Sequence, residues 1–162
     1  MLTQTQIRHY QQNGFQVLEQ FFDDSQIQAL RRELTQMIDS APTSSTNRKN
    51  RYGQTVEHPS DFSFTLQEPE GEGQIINRIS NPLARSEVIL RAYGCPKLLQ
   101  AVASLCGSDF VPFTESIVIK VPHRGAAFDW HQDGSFKTGV QPERGVNFGL
   151  YLYPSTVDNG CL

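Results

Sequence analysis

A histidine and an aspartate two positions apart, His131 and Asp133, are the residues of this sequence best suited to hold a metal ion. They follow a glycine-containing turn in a stretch whose composition predicts a strand. Side chains two apart on a strand point to the same face, so the imidazole and the carboxylate are expected to emerge together. These are two of the three donors of the 2-His-1-carboxylate triad of non-haem Fe(II) oxygenases.

The segments around this pair favour a β-rich setting. Residues 115–122 form a β-branched run, and residues 146–153 alternate between apolar and other side chains. Residues 154–160 then have the composition of a turn. A ligand pair at the mouth of one strand, flanked by others, is typical of the sites held by β-barrels and jelly rolls.

Three segments resemble the catalytic core of the phytanoyl-CoA dioxygenase family: Lys120-Val-Pro122, Trp130-His-Gln-Asp133, and Tyr151-Leu-Tyr-Pro-Ser-Thr-Val-Asp-Asn-Gly-Cys-Leu162. The opening residues 15–25, with the amphipathic helix after them, are similar to that family's N-terminus. The resemblance implies a double-stranded β-helix, Fe(II), 2-oxoglutarate as co-substrate, and oxidation of a small organic substrate by O2. His131 and Asp133 fall on the family's first two iron ligands.

The same resemblance gives roles to two neighbours of the metal ligands. Lys120 is predicted to contact 2-oxoglutarate as a point charge, the alternative being an outward-facing edge lysine. Trp130 is predicted to line the cofactor pocket, the alternative being a packed aromatic side chain with a satisfied N–H. No catalytic residue beyond the metal ligands is predicted. Related halogenases have a small residue at the position of Asp133, so its carboxylate favours hydroxylation.

The third ligand is not evident in the sequence. Members of the family continue into a later histidine and arginine, so we expect the chain to be truncated before its jelly roll closes and to be weakly active or inactive. Within the sequence, His123 is the nearest alternative ligand. Two other functions stay open: a non-catalytic truncated product, and a cupin-like metal-binding module or zinc hydrolase with a different third ligand.

The order of predicted elements indicates an α+β fold with N-terminal helices packed on the first strands of the jelly roll. We expect one incomplete domain over residues 1–162. Residues 1–109 are mainly helical with a long polar loop at 41–60, and residues 110–162 begin the jelly-roll core. A loop of that length is typical of a lid or binding loop.

Local signals predict where the individual elements begin and end. Capping boxes at Thr3/Gln6 and Ser25/Gln28 open two helices, the second with an apolar stripe, and a strand over residues 15–19 lies between them. Two more helices are expected over residues 82–92 and from Pro96 to Gly107. The stripe consists of Ile27, Leu30, Leu34, Met37 and Ile38.

Composition excludes several classes of function. The hydrophobic share of 38% and charged share of 19% are close to those of globular proteins. A net charge of −3 argues against a nucleic-acid partner. No apolar run reaches the ~20 residues of a membrane span, and the first residues lack the pattern of a signal peptide. Three cysteines without CxxC spacing predict reduced thiols in a cytoplasmic protein.

Overall fold

The computed structural model describes residues 1–41, 48–49, 55–56, 62–65, 75–111, 115–120 and 145–161. The α-helices in this part of the chain are α1 (Gln4–Asn13), α2 (Asp24–Asp39), α3 (Glu87–Tyr93) and α4 (Pro96–Cys106). The strands are β1 (Arg48–Lys49), β2 (Thr55–Val56), β3 (Phe62–Thr65), β4 (Ile75–Ser80) and β5 (Ser116–Val118). Single turns of 3₁₀ helix cover Pro82–Ala84 and Val157–Asn159.

The strands form two antiparallel sheets. β1 pairs with β2, and β4 lies between β3 and β5 in the larger sheet. The Ile119 N–H donates to the Asn77 carbonyl over 2.9 Å and so continues the β4–β5 ladder by one bond. Helices together with antiparallel strands agree with the predicted α+β class, whereas the jelly roll and the domain boundaries stay predictions.

The core lies between α2 and the larger sheet. Leu34 and Met37 of α2 are buried against Ile79 of β4, whose side chain has no exposed surface. Partly buried apolar residues from β4, α3, β5 and the C-terminal segment pack around them: Ile76, Ile89, Ile117, Ile119 and Leu152, together with Ala41. Leu30, from the same stripe of α2, is also buried, whereas Ile38 is 37% exposed. The predicted stripe is therefore the face by which α2 covers the sheet.

The two capping predictions have different outcomes. The box at Thr3 and Gln6 is confirmed, and α1 ends at Gly14 in the left-handed conformation. The second prediction is wrong by two residues, because Asp23 rather than Ser25 caps α2 and its reciprocal partner is Gln26. Both registers fit the same pattern, but Asp23 is an ionised acceptor at the positive helix end. The Ser25 hydroxyl donates to Asp23 Oδ1 over 2.7 Å.

Replacing Asp23 by alanine is expected to lower the thermal midpoint of the chain at neutral pH. The hydroxyl of Ser25 and then the backbone N–H of Gln26 lower the pKa of the Asp23 carboxyl. A carboxyl whose pKa is lower in the folded state stabilises that state above its unfolded pKa, and the stabilisation is lost as the pH falls through the folded pKa.

Thermal melts followed by circular dichroism at pH 7 and at a series of pH values below ~3.9, the pKa of an unperturbed Asp, would measure this effect. The wild type and Asp23→Ala should differ at pH 7 and converge in acid. Asp39→Ala is the control, because a carboxylate at the C-terminal end of α2 opposes the helix dipole. An equal destabilisation by both variants would contradict the cap assignment.

The predicted helix over residues 82–92 is two elements. A 3₁₀ turn over Pro82–Ala84 is followed by α3, and the interruption falls at Ser86. The buried Ser86 hydroxyl accepts from the Ile89 N–H over 3.2 Å and so starts a new helix. The helix expected from Pro96 to Gly107 is confirmed as α4, with Cys95 at its N-cap and Gly107 at its end.

The strand predicted over residues 15–19 is wrong. The segment lies outside helices and strands, with Phe15 58% and Val17 63% exposed. Phe15 instead contacts α1, where its ring packs edge-on against His9 at 5.4 Å and its carbonyl lies 3.0 Å from His9 Nδ1. Alternation favours an extended backbone, but a strand also needs a partner.

The strand predicted over residues 146–153 is wrong for the same reason, since this segment is also neither helix nor strand. The expected inward face is only partly buried, since Phe148 and Leu150 are 36% and 39% exposed. Val146 and Leu152 are half-buried, whereas Tyr151 and Tyr153 are 59% and 55% exposed. We refer to residues 145–153 as the C-terminal segment.

The remaining features of the described residues concern membrane-spanning helices and cysteines. Over the residues described, no helix is both long and apolar enough to cross a membrane. Cys95, Cys106 and Cys161 are all free, with the first two half-buried and the third exposed.

Candidate active site

Lys120 is the predicted site residue whose position the structure gives. Trp130, His131 and Asp133 lie outside the described residues, as does His123, so their roles stay predictions. Among the described residues, no group of three or more histidine, cysteine, aspartate or glutamate side chains could hold a metal ion. The geometry around Lys120 is therefore what connects the sequence prediction to the structure.

The side chain of Lys120 reaches from the end of β5 to the turn near the C-terminus. Its Nζ donates a hydrogen bond to the carbonyl of Gly160, forty positions later in the sequence. Gly160 is in the left-handed conformation with φ of 78°. A Cβ at this position would lie 3.0 Å from Lys120 Nζ, so a glycine serves both the backbone conformation and the close approach of the lysine.

The turn that presents Gly160 is held by its own hydrogen bonds. The Asn159 side chain accepts from the Thr156 N–H over 2.7 Å and donates to the Pro154 carbonyl over 2.8 Å. The Cys161 N–H donates to the Thr156 carbonyl over 3.0 Å. These bonds make residues 154–161 a compact unit, which we call the Gly160 turn.

The C-terminal segment, which leads into this turn, contacts α2 and the residues just before that helix. Arg31 of α2 donates from Nε to the Leu152 carbonyl over 2.7 Å, and its guanidinium lies over the Tyr153 ring at 4.6 Å. Earlier in the segment, Phe148 packs edge-on against Phe21 with ring centroids 5.7 Å apart. The Gly160 turn is thus fixed to α2 at one end and to β5 at the other.

The ammonium of Lys120 is chemically suited to an anionic ligand. It carries three N–H donors, of which Gly160 accepts one. No carboxylate within the described part of the chain forms an ion pair with it, and the side chain is exposed. The remaining N–H donors are of the type that forms charge-assisted hydrogen bonds with a carboxylate.

Two open grooves lie elsewhere on the described surface. They have volumes of about 430 and 590 Å³ and share Phe21 and Lys97, whose ammonium lies 4.3 Å from the Phe21 ring and donates to the Phe21 carbonyl. Neither is lined by Lys120 or by the Gly160 turn. The candidate site at Lys120 thus rests on the sequence prediction and not on a groove of the described surface.

Sequence reasoning missed two residues that shape this site, Arg31 and Asn159. The Asn159-Gly160 dipeptide predicts a turn, but the partner of that turn is remote in sequence. The sequence does not indicate the contacts of Arg31, because an arginine on a helix is usually interpreted as a solvent-exposed charge. Its partner Leu152 lies 121 positions away and contributes a backbone carbonyl, which any residue type provides.

Comparison with known proteins places the chain in a family. Its residues 10–162 match the model of the family described as phytanoyl-CoA dioxygenase (PhyH). A phytanoyl-CoA dioxygenase of Arabidopsis thaliana is 26% identical over 178 residues, which cover 99% of this chain and 62% of that protein. An L-proline trans-4-hydroxylase of Streptomyces griseoviridis is 32% identical over 79 residues, covering 47% of this chain and 30% of that protein.

The chain thus spans 62% of the length of its Arabidopsis relative. The family match, in contrast, runs through nearly all of this sequence and includes Lys120 and the segment from Trp130 to Asp133. The chain belongs to the phytanoyl-CoA dioxygenase family.

Proposed function

We propose that this chain belongs to an Fe(II)- and 2-oxoglutarate-dependent oxygenase that hydroxylates a small organic substrate with O2. The observation that carries the proposal is the family match over residues 10–162, which includes the His131-x-Asp133 pair. The names of both relatives, a dioxygenase and a hydroxylase, agree with it. The substrate itself is left open.

The donor set of the sequence fits iron. His131 and Asp133 would supply one imidazole nitrogen and one carboxylate oxygen, the donor types of the facial triad. When bound, Fe(II) and 2-oxoglutarate together supply the oxidising chemistry, and the protein supplies position and the exclusion of water. In the family a later histidine supplies the third ligand, and within this sequence His123 is the nearest candidate.

The chain's own described contribution is Lys120. We propose that its ammonium binds a carboxylate of 2-oxoglutarate with the donors that Gly160 does not use. The Gly160 turn would hold the lysine in place, so the cation would not have to be ordered when the co-substrate binds. Trp130, next to His131, would line the same pocket and exclude water.

The direct test is formation of succinate from 2-oxoglutarate with added Fe(II) under air. Both this 162-residue chain and a chain extended to the length of the Arabidopsis relative should be assayed. We expect little succinate from the first, because two ligands hold Fe(II) weakly, and Fe(II)-dependent turnover from the second.

In the extended chain, Lys120→Met should raise the KM for 2-oxoglutarate by about tenfold, the cost of losing one charge-assisted contact, with a smaller change in kcat. Lys97→Met, on the far groove, is the matched control. Activity of the extended chain with Zn(II) in place of Fe(II) would contradict the proposal. Robust turnover by the 162-residue chain would show that the assignment of its ligands is wrong.

A further inference from the structure

We propose that Arg31 is a positioning residue that acts through the Gly160 turn to set where the Lys120 ammonium lies. The functional part of this inference rests on the proposed role of Lys120 in binding a carboxylate. The structural part, a coupling between α2 and Lys120, stands on the described contacts alone.

Arg31 binds the C-terminal segment through its guanidinium group. Its two contacts fall on adjacent residues, a hydrogen bond to the Leu152 carbonyl and a cation–π contact with the Tyr153 ring. A planar guanidinium that makes both contacts fixes the direction as well as the position of the chain. The Leu152 side chain meanwhile packs against the core of Leu34, Met37 and Ile79.

The contacts of Arg31 are connected to Gly160 by a proline and by the hydrogen bonds of the Gly160 turn. Pro154 follows Tyr153 directly, and its ring fixes φ. Its carbonyl accepts from Asn159, whose side-chain oxygen in turn accepts from Thr156. Because these hydrogen bonds hold the Gly160 turn together, we expect a shift of the backbone at Leu152 to move the Gly160 carbonyl as well.

The position of the Gly160 carbonyl in turn affects the conformation of the Lys120 side chain. A Lys side chain has four rotatable bonds and high conformational entropy, and Lys120 is exposed. The Gly160 carbonyl is its hydrogen-bond acceptor within the described residues. If the carbonyl moves, the ammonium loses this acceptor and samples solvent.

The experiment measures the reactivity of the Lys120 amine. The chain is treated with a limiting amount of an acetylating reagent at neutral pH, and modification of Lys120 is quantified by peptide mass spectrometry. Lys97 is the internal reference, because its ammonium also donates to a backbone carbonyl, that of Phe21. This readout reports one amine and does not depend on turnover.

Arg31→Met should raise the modification of Lys120 relative to Lys97 by about twofold to tenfold, the range that the net loss of one ordinary hydrogen bond sets. Arg31→Lys should recover only part of the wild-type value, because an ammonium can donate to Leu152 but lacks the planar guanidinium that also lies over Tyr153. Arg32→Met, which removes an exposed arginine from the same helix, should change nothing.

Equal reactivity of Lys120 in the wild type and a folded Arg31→Met would overturn the inference, as would an equal rise in Arg32→Met. Circular dichroism checks that each variant is folded. If Arg31→Met does not fold, Tyr153→Leu takes its place, and it should raise Lys120 reactivity in the same direction by a smaller factor. No rise in that variant would also overturn the inference.

A second arm separates this inference from the proposed function. In the extended chain, with Fe(II) added and O2 excluded, saturating 2-oxoglutarate should protect Lys120 from acetylation when Arg31 is present and less so in Arg31→Met. Absence of protection in the wild type would refute the role of Lys120 at the co-substrate and leave the Arg31 effect standing. Protection without an Arg31 effect would refute the coupling and leave the proposed function intact.

Discussion

Replacing His131 or Asp133 by alanine is expected to remove tight binding of Fe(II). Each variant lacks one of the donors that the family motif supplies, and the remaining ligands cannot hold a hard divalent ion in an open site. The loss should exceed the roughly 10–100-fold in affinity that follows removal of an outer-shell partner of a metal ligand. Anaerobic calorimetric titration of the extended chain with Fe(II) measures this effect.

The controls for this titration are His123→Ala and His9→Ala. His9 lies on α1 against Phe15, so its replacement should leave the affinity for Fe(II) unchanged. If His123→Ala lowers the affinity as much as His131→Ala, then His123 is the third ligand. Wild-type affinity in both the His131 and Asp133 variants would refute the metal site.

Replacing Ile79 by alanine is expected to lower the free energy of unfolding by about 2–5 kcal/mol. The side chain has no exposed surface and packs in one cluster with Leu34 and Met37 of α2. Truncation removes buried methyl groups and leaves a cavity that β4, held on both sides by ladders, cannot close. Such a loss is a large part of the roughly 5–15 kcal/mol that stabilises a typical domain.

Urea denaturation followed by circular dichroism would measure the change, with the denaturant slope held equal between variants. Ile38→Ala is the matched control, since this isoleucine of α2 is 37% exposed and alanine has the higher helix propensity. It should change the free energy of unfolding by about 0.5 kcal/mol or less. Similar losses in the two variants would mean that Ile79 is not at the centre of the core.

The helices were predictable because their signals are local. Thr3, Gln6 and Gly14 determine the two ends of α1 within a few residues of one another. The errors arose where two local signals competed, as at Asp23 and Ser25 on α2. Ser86 interrupts an otherwise continuous helical pattern in the same way, because its hydroxyl caps a new helix.

The strands were harder because pairing is not a local property. Residues 15–19 and 146–153 both alternate, yet neither is a strand in the structure. The pairing of β3 with β4 also contains a register shift between Ser63 and Phe64 that no sequence pattern indicated. In these two segments alternation indicated neither a ladder nor an inward face, since Phe15, Val17 and Leu150 are exposed.

For the candidate site, the sequence predicted the importance of Lys120 and a turn near Gly160 but not the bond between them. The two residues are 40 positions apart, and the acceptor is a backbone carbonyl. Contacts of this kind depend on the finished fold. The same is true of Arg31, whose role is visible only once α2 lies against the C-terminal segment.

The long separation between Arg31 and Leu152 has a consequence for synthesis on the ribosome. At about 5–20 residues per second, roughly 2–9 seconds pass between Leu34 and Ile79, and roughly 6–24 seconds between Arg31 and Leu152. The nascent chain can therefore cover the apolar face of α2 with β4 well before Arg31 meets its acceptor. The contact of Arg31 with Leu152 is therefore added to a core that α2 and β4 can already have begun to form.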